Sequence, residues 1–137
     1  MNKDEFVKKV MDQLDIQDRN VAERGIQFVF SILSHRMTEA ESENVASQLP
    51  QDLKRMWNNQ VWVTNYFFLS GKRLNYRHKA QLLSLVENEI LREKLPLRAE
   101  KLTQAVLHVL KEHITEGESE DIVAQLPEEI KDFYKAA

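Results

Sequence analysis

The stretch Ala22–Lys54, AERGIQFVFSILSHRMTEAESENVASQLPQDLK, returns later in the chain as Ala99–Lys131, AEKLTQAVLHVLKEHITEGESEDIVAQLPEEIK. The two align without a gap, and 14 of the 33 positions are identical. The clearest matches are Thr38–Glu43 with Thr115–Glu120, and Gln48-Leu49-Pro50 with Gln125-Leu126-Pro127. Most other positions exchange one apolar residue for another. Upstream the register shifts by one, and Phe6, Val7, Val10 and Leu14 pair with Leu82, Leu83, Val86 and Ile90. A repeat of this length is read as a duplicated structural unit, each copy covering the other's apolar side.

Within each copy the spacing is helical. Phe6, Val7, Val10 and Leu14 form one face of a short amphipathic helix. Asp18 can cap the next, whose stripe Ala22, Ile26, Val29, Phe30, Leu33 and Met37 follows three- and four-residue steps. Thr38 with Glu41 forms a capping box, in which hydroxyl and carboxylate satisfy each other's free backbone N–H groups. Pro50 suits the start of a further helix, where its missing N–H is no loss. In the second copy Pro96 opens the long helix with the stripe Ala99, Leu102, Val106, Leu110 and Ile114. Thr115 and Glu118 repeat the box, and Pro127 starts the last helix. A half of this size alone is marginal. The expectation is one all-α domain over residues 1–137, a compact bundle of about eight helices. Repeat one spans about 3–57, a connector about 58–75, and repeat two about 76–135, with the repeats related by a pseudo-twofold axis.

A long helix ending in Thr-x-x-Glu, then Gln-Leu-Pro before acidic and apolar residues, present twice, resembles the bacterial domain-of-unknown-function family 2267. The residues that carry the resemblance are Thr38, Glu41, Gln48, Leu49 and Pro50, and again Thr115, Glu118, Gln125, Leu126 and Pro127. It covers nearly the whole chain apart from roughly residues 58–74. The resemblance implies an all-helical fold with globin-like helix crossings, and it brings no activity, ligand or active site.

Composition agrees with this class. The chain has 137 residues, 19 Lys and Arg against 22 Asp and Glu, three Gly, three Pro and no Cys. The cysteine count excludes disulfides, thiolate metal sites and a cysteine nucleophile. A net charge of −3 gives no general case for nucleic-acid binding. The N-terminal stretch Asn2-Lys3-Asp4-Glu5 is not a signal peptide. The longest apolar run, Val61–Leu69, is too short to span a membrane and contains Thr64 and Asn65. A cytoplasmic protein is expected.

Catalytic motifs are missing. No Gly-x-Ser-x-Gly elbow occurs, and Gly71-Lys72 fails as a phosphate loop because the required earlier glycine is Tyr66 and Arg73 follows the lysine. His108 and His113 are five apart and do not share a helical face, while His35 and His78 have no counterpart in the other copy. A globin-like fold would make His78 the candidate haem ligand, but Asn75-Tyr76-Arg77-His78-Lys79 has no apolar haem-facing run. The acidic groups Glu39, Glu41, Glu43 and Glu116, Glu118, Glu120, Asp121 could hold a divalent cation. Their spacing is not that of a calcium loop, and carboxylates at helix N-termini are expected from capping alone. No catalytic residue, metal or cofactor is therefore assigned, and Thr38, Glu41, Thr115, Glu118, Pro50 and Pro127 are read as structural caps.

The segment that breaks the repeat is the functional suspect. Between Asp52 and Glu87 there is no acid but six bases: Lys54, Arg55, Lys72, Arg73, Arg77 and Lys79. Trp57, Trp62, Tyr66, Phe67, Phe68 and Tyr76 lie in the same stretch, six of the chain's eleven aromatics. Trp62, Tyr66 and Leu69 fall at helical spacing, and Ser70-Gly71 and Asn75 read as a helix stop and a new N-cap. Read as a strand, Val61–Leu69 would instead pair with a second chain. The aromatics can fill the seam between the repeats. They can equally form a contact surface, with Trp57, Trp62 and Tyr66 as apolar anchors and Lys72, Arg73 and Arg77 as charged contacts. The function expected is a non-enzymatic helical module that binds a protein partner or itself through this connector. Binding of nucleic acid or an anionic surface through residues 54–79 is the alternative, and a small-ligand carrier or unrecognised enzyme a third.

Overall fold

The computed structural model describes residues 2–59 and 74–137. Among the described residues all regular structure is helical. The helices are α1 Lys3–Leu14, α2 Arg19–Ser34, α3 Glu39–Ser47, α4 Gln51–Asn58, α5 Lys79–Arg92, α6 Ala99–His113, α7 Glu116–Ala124 and α8 Glu128–Ala136. The fold is all-α, with eight helices in that part of the chain. The helix-or-strand question at Val61–Leu69, and Trp62, Tyr66, Lys72 and Arg73 with it, lie outside the described residues.

Local sequence explains most helix ends. Asn2 caps α1 by accepting from the Glu5 N–H at 2.9 Å, and Asp18 caps α2 by accepting from Asn20 and Val21 at 3.0 and 3.3 Å. Helices α1 and α5 stop alike, at Asp15 and Lys94 with φ of 54° and 55°. The next N–H turns back, Ile16 to the Met11 carbonyl at 3.1 Å and Leu95 to the Ile90 carbonyl at 2.9 Å. Neither left-handed residue is glycine, which costs about 1 kcal/mol at each.

Two expected starts move. Helix α5 does not begin at Asn75, because Leu74 and Tyr76 are first drawn into the core. The Leu74 N–H donates to the His35 carbonyl at 3.0 Å and the Tyr76 hydroxyl to the Ile32 carbonyl at 3.2 Å, so the chain stays extended past Asn75. His78 is the N-cap, and the Gln81 side chain accepts from the Arg77 and His78 N–H groups. Helix α6 begins at Ala99 and not at Pro96, which stays in the link.

Helix α2 is the centre of the bundle. It is buried on every side from Gly25 to Ser34, well beyond the stripe its spacing suggests, because α1, α4, α5 and α6 all pack on it. Helix α1 lies against both α2 and α6, and α5 lies against the same two. Helix α4 packs on α2, α8 on α6, and α3 meets α7. One apolar core draws side chains from all eight helices. Phe6, Phe30 and Trp57 meet edge to face within it, with ring centroids 5.5 and 5.2 Å apart. Among the described residues no helix is long and apolar enough to cross a membrane.

Candidate functional site

Helices α3 and α7 meet through their N-terminal turns, and there the two halves cap each other. Thr38 and Thr115 each accept from the N–H three residues on, that of Glu41 at 3.2 Å and of Glu118 at 3.1 Å. This is the hydroxyl half of the expected capping box. The other half is different. The Thr38 N–H donates to the Gln125 side-chain oxygen at 3.1 Å, and the Thr115 N–H to the Gln48 side-chain oxygen at 2.8 Å. A glutamine from the opposite half thus takes the place of each helix's own glutamate.

The released carboxylates turn into the seam. Glu41 and Glu118 are each only 6% exposed, and one oxygen of each, Oε1, is buried with no donor from outside the pair. The Gln48 amide donates to Glu118 Oε2 at 3.3 Å. Exposed Asp121 adds a third carboxylate, and one oxygen from each of the three lies within 4.8 Å of the others. Burial, then a hydrogen bond shared with the Glu41 carboxyl and the charges of Glu41 and Asp121, pushes the Glu118 carboxyl up to about 8. The reading of Glu41 and Glu118 as reciprocal caps is therefore corrected: their backbones belong to the caps, while their side chains form a buried acidic cluster. The available signal was that glutamate and glutamine are kept in both copies.

The connector residues separate. Trp57, read as an apolar anchor, is fully buried, and its indole N–H bonds Ser42 Oγ at 3.0 Å. Tyr134, at the equivalent place in the second copy, makes the matching 2.8 Å bond with Ser119, the counterpart of Ser42. Extending the alignment of the two copies just past Lys54 would have paired Trp57 with Tyr134 and placed it in the core. Arg77 is exposed, close along the chain to buried Leu74 and Tyr76. Next to it a groove of about 400 Å³ is lined by Leu74, Tyr76, Ala80, Ser84 and Leu85. Lys79 pairs with Glu100 at 2.8 Å and lies over the Phe133 ring. Pro50 and Pro127 stand at the N-cap positions of α4 and α8.

The histidines lie apart. His35 is buried with Nδ1 2.8 Å from the Ser31 carbonyl, and burial holds its pKa below the ordinary value. His113 bonds the Val109 carbonyl and packs on Phe6. His78 pairs with Glu129, and His108 with Glu112 at 3.3 Å. A third buried acid, Glu89, has Arg92 at 3.2 Å, and burial raises its pKa. A polar cleft of about 450 Å³ opens between Lys3, Arg24, Asp52, Arg55 and Asn59.

A family model described as "Uncharacterized conserved protein (DUF2267)" matches residues 3–133. No curated protein matches the chain.

Proposed function

The chain belongs to the DUF2267 family, and from that premise we propose that it is a non-catalytic helical module. It works by binding a protein partner, or a second copy of itself, through the connector and the face beside Leu74 and Tyr76. The observation that carries this reading is the apolar groove along Leu74, Tyr76 and Leu85, with Arg77 exposed at its rim. An apolar centre with a basic edge suits a partner helix that bears acidic residues beside its own apolar stripe. With Trp57 in the core, Trp62 and Tyr66 remain the proposed apolar anchors, and Lys72, Arg73 and Arg77 the proposed charged contacts.

The same proposal includes a single domain of two tandem repeats about a pseudo-twofold axis, and action in the bacterial cytoplasm. The reciprocal Thr-to-Gln bonds and the shared packing of α1 and α5 on α2 and α6 support the repeat arrangement.

Replacing Trp62 and Tyr66 by Ala tests the reading by light scattering and thermal melting. The expected result is lost association with stability little changed. A monomer that is strongly destabilised instead would assign both aromatics to the seam. Nucleic-acid binding through residues 54–79 is the second reading, favoured by the exposed Arg77 beside Asn75. It requires a mobility shift at low salt that disappears at high salt.

A further inference from the structure

We propose that Glu41, Glu118 and Asp121 form a binding site for a hard divalent cation of calcium size, set in the seam between α3 and α7. The site lies apart from the contact face proposed above and does not depend on it. Three carboxylates converge, each placing an oxygen within 4.8 Å of the other two. Calcium takes carboxylate oxygens at about 2.4 Å in irregular geometry, whereas magnesium demands a near-ideal octahedron. Three carboxylates brought from two helices therefore suit calcium better.

A second observation sets this cluster apart from acids gathered at helix N-termini. Glu41 and Glu118 are 94% buried, yet no group outside the cluster donates to Oε1 of either. A buried carboxylate oxygen without a partner costs free energy, which a bound cation would recover. Among the described residues no lysine, arginine or histidine pairs with any of the three acids. The N-terminal turns of α3 and α7 contribute only partial positive charge.

The surroundings divide the roles. Gln48 holds Glu118 Oε2 through its amide, leaving Oε1 for the ion. Asp121, exposed, gives the ion its way in, and water completes the coordination. Gln48 and Gln125 are positioning residues: they occupy the Thr115 and Thr38 N–H groups that Glu118 and Glu41 would otherwise cap.

The test uses the full chain after chelation, titrated with calcium chloride to about 10 mM and followed by calorimetry and thermal melting, since exposed-entry sites of this kind bind at about 0.1–1 mM. The wild type should bind one ion saturably and melt higher with it. Glu118→Gln and Asp121→Asn should each weaken binding about tenfold or more, since losing even a group that only supports a ligand costs that much. Without ion, Glu118→Gln should melt at or above the wild type, which shows that it folds. Asp121→Asn, altered at an exposed position, provides a second folded control. No saturable calcium binding by the wild type, or binding unchanged in both variants, would overturn the assignment.

Discussion

At the residue scale, Trp57 and Tyr134 show how one contact survives a change of side chain. Both hydrogen-bond a serine one helix away, the indole N–H donating to Ser42 and the Tyr134 hydroxyl pairing with that of Ser119, while their rings fill the core. A buried aromatic with a polar tip needs such a partner. His35 gives a pH test at this scale. Its Nδ1–H donates to the Ser31 carbonyl, and burial holds the ring neutral in the fold. The unfolded chain gains a proton as pH falls through about 6.5, and the folded chain gains it only lower. Stability from this residue is therefore full above about pH 6.5 and is lost below it. Denaturant unfolding of wild type and His35→Gln should diverge between about pH 7 and pH 5, the wild type losing more. A constant difference across that range would show that His35 does not titrate on unfolding.

At the element scale, the crossing of α2 and α6 turns on one glycine. A Cβ at Gly25 would stand 2.8 Å from Leu102 Cδ1 and 3.1 Å from Leu97 Cδ1. Gly25 and Leu102 occupy equivalent places in the two aligned stretches. Where two like helices cross, only one can place a large side chain at the contact, so one copy holds Leu and the other nothing. Gly25→Ala should be nearly neutral, because the helix gains about 1 kcal/mol of propensity while the flexible end of Leu102 shifts. Gly25→Leu should cost about 3 kcal/mol or more by overpacking. Adding Leu102→Gly to Gly25→Leu should recover part of that loss, giving a coupling energy measurable by chemical denaturation.

At the scale of the whole molecule, the seam of α3 and α7 joins the halves through polar groups that each half lacks alone. Gln48 accepts from Thr115 and donates to Glu118, so it completes one cap and steadies one carboxylate. Gln48→Ala should cost about 1–2 kcal/mol. Gln48→Glu should cost more in metal-free protein at pH 8, although glutamate is the ordinary partner of a capping threonine. It keeps an acceptor for the Thr115 N–H, loses the donor to Glu118 and adds a carboxylate beside a cluster of three carboxyl groups. Melting temperatures of the two variants check the order.

The helical class, the α2 and α6 stripes and the Thr38 and Thr115 hydroxyl caps were legible because each depends on residues within one or two turns. The start of α5 was not, since Leu74 and Tyr76 answer to the core beyond their own segment. Nor was the acidic cluster. A Thr-x-x-Glu pattern specifies a local box, and only the approach of Gln125 to Thr38 and of Gln48 to Thr115 displaces the glutamates. Sequence alone determined which elements form and which faces are apolar, because these follow from backbone periodicity and short-range hydrogen bonding. The tertiary structure alone decided that Gln48 and Gln125 cap across the seam and that Glu41, Glu118 and Asp121 converge, because those facts depend on distances between segments far apart along the chain.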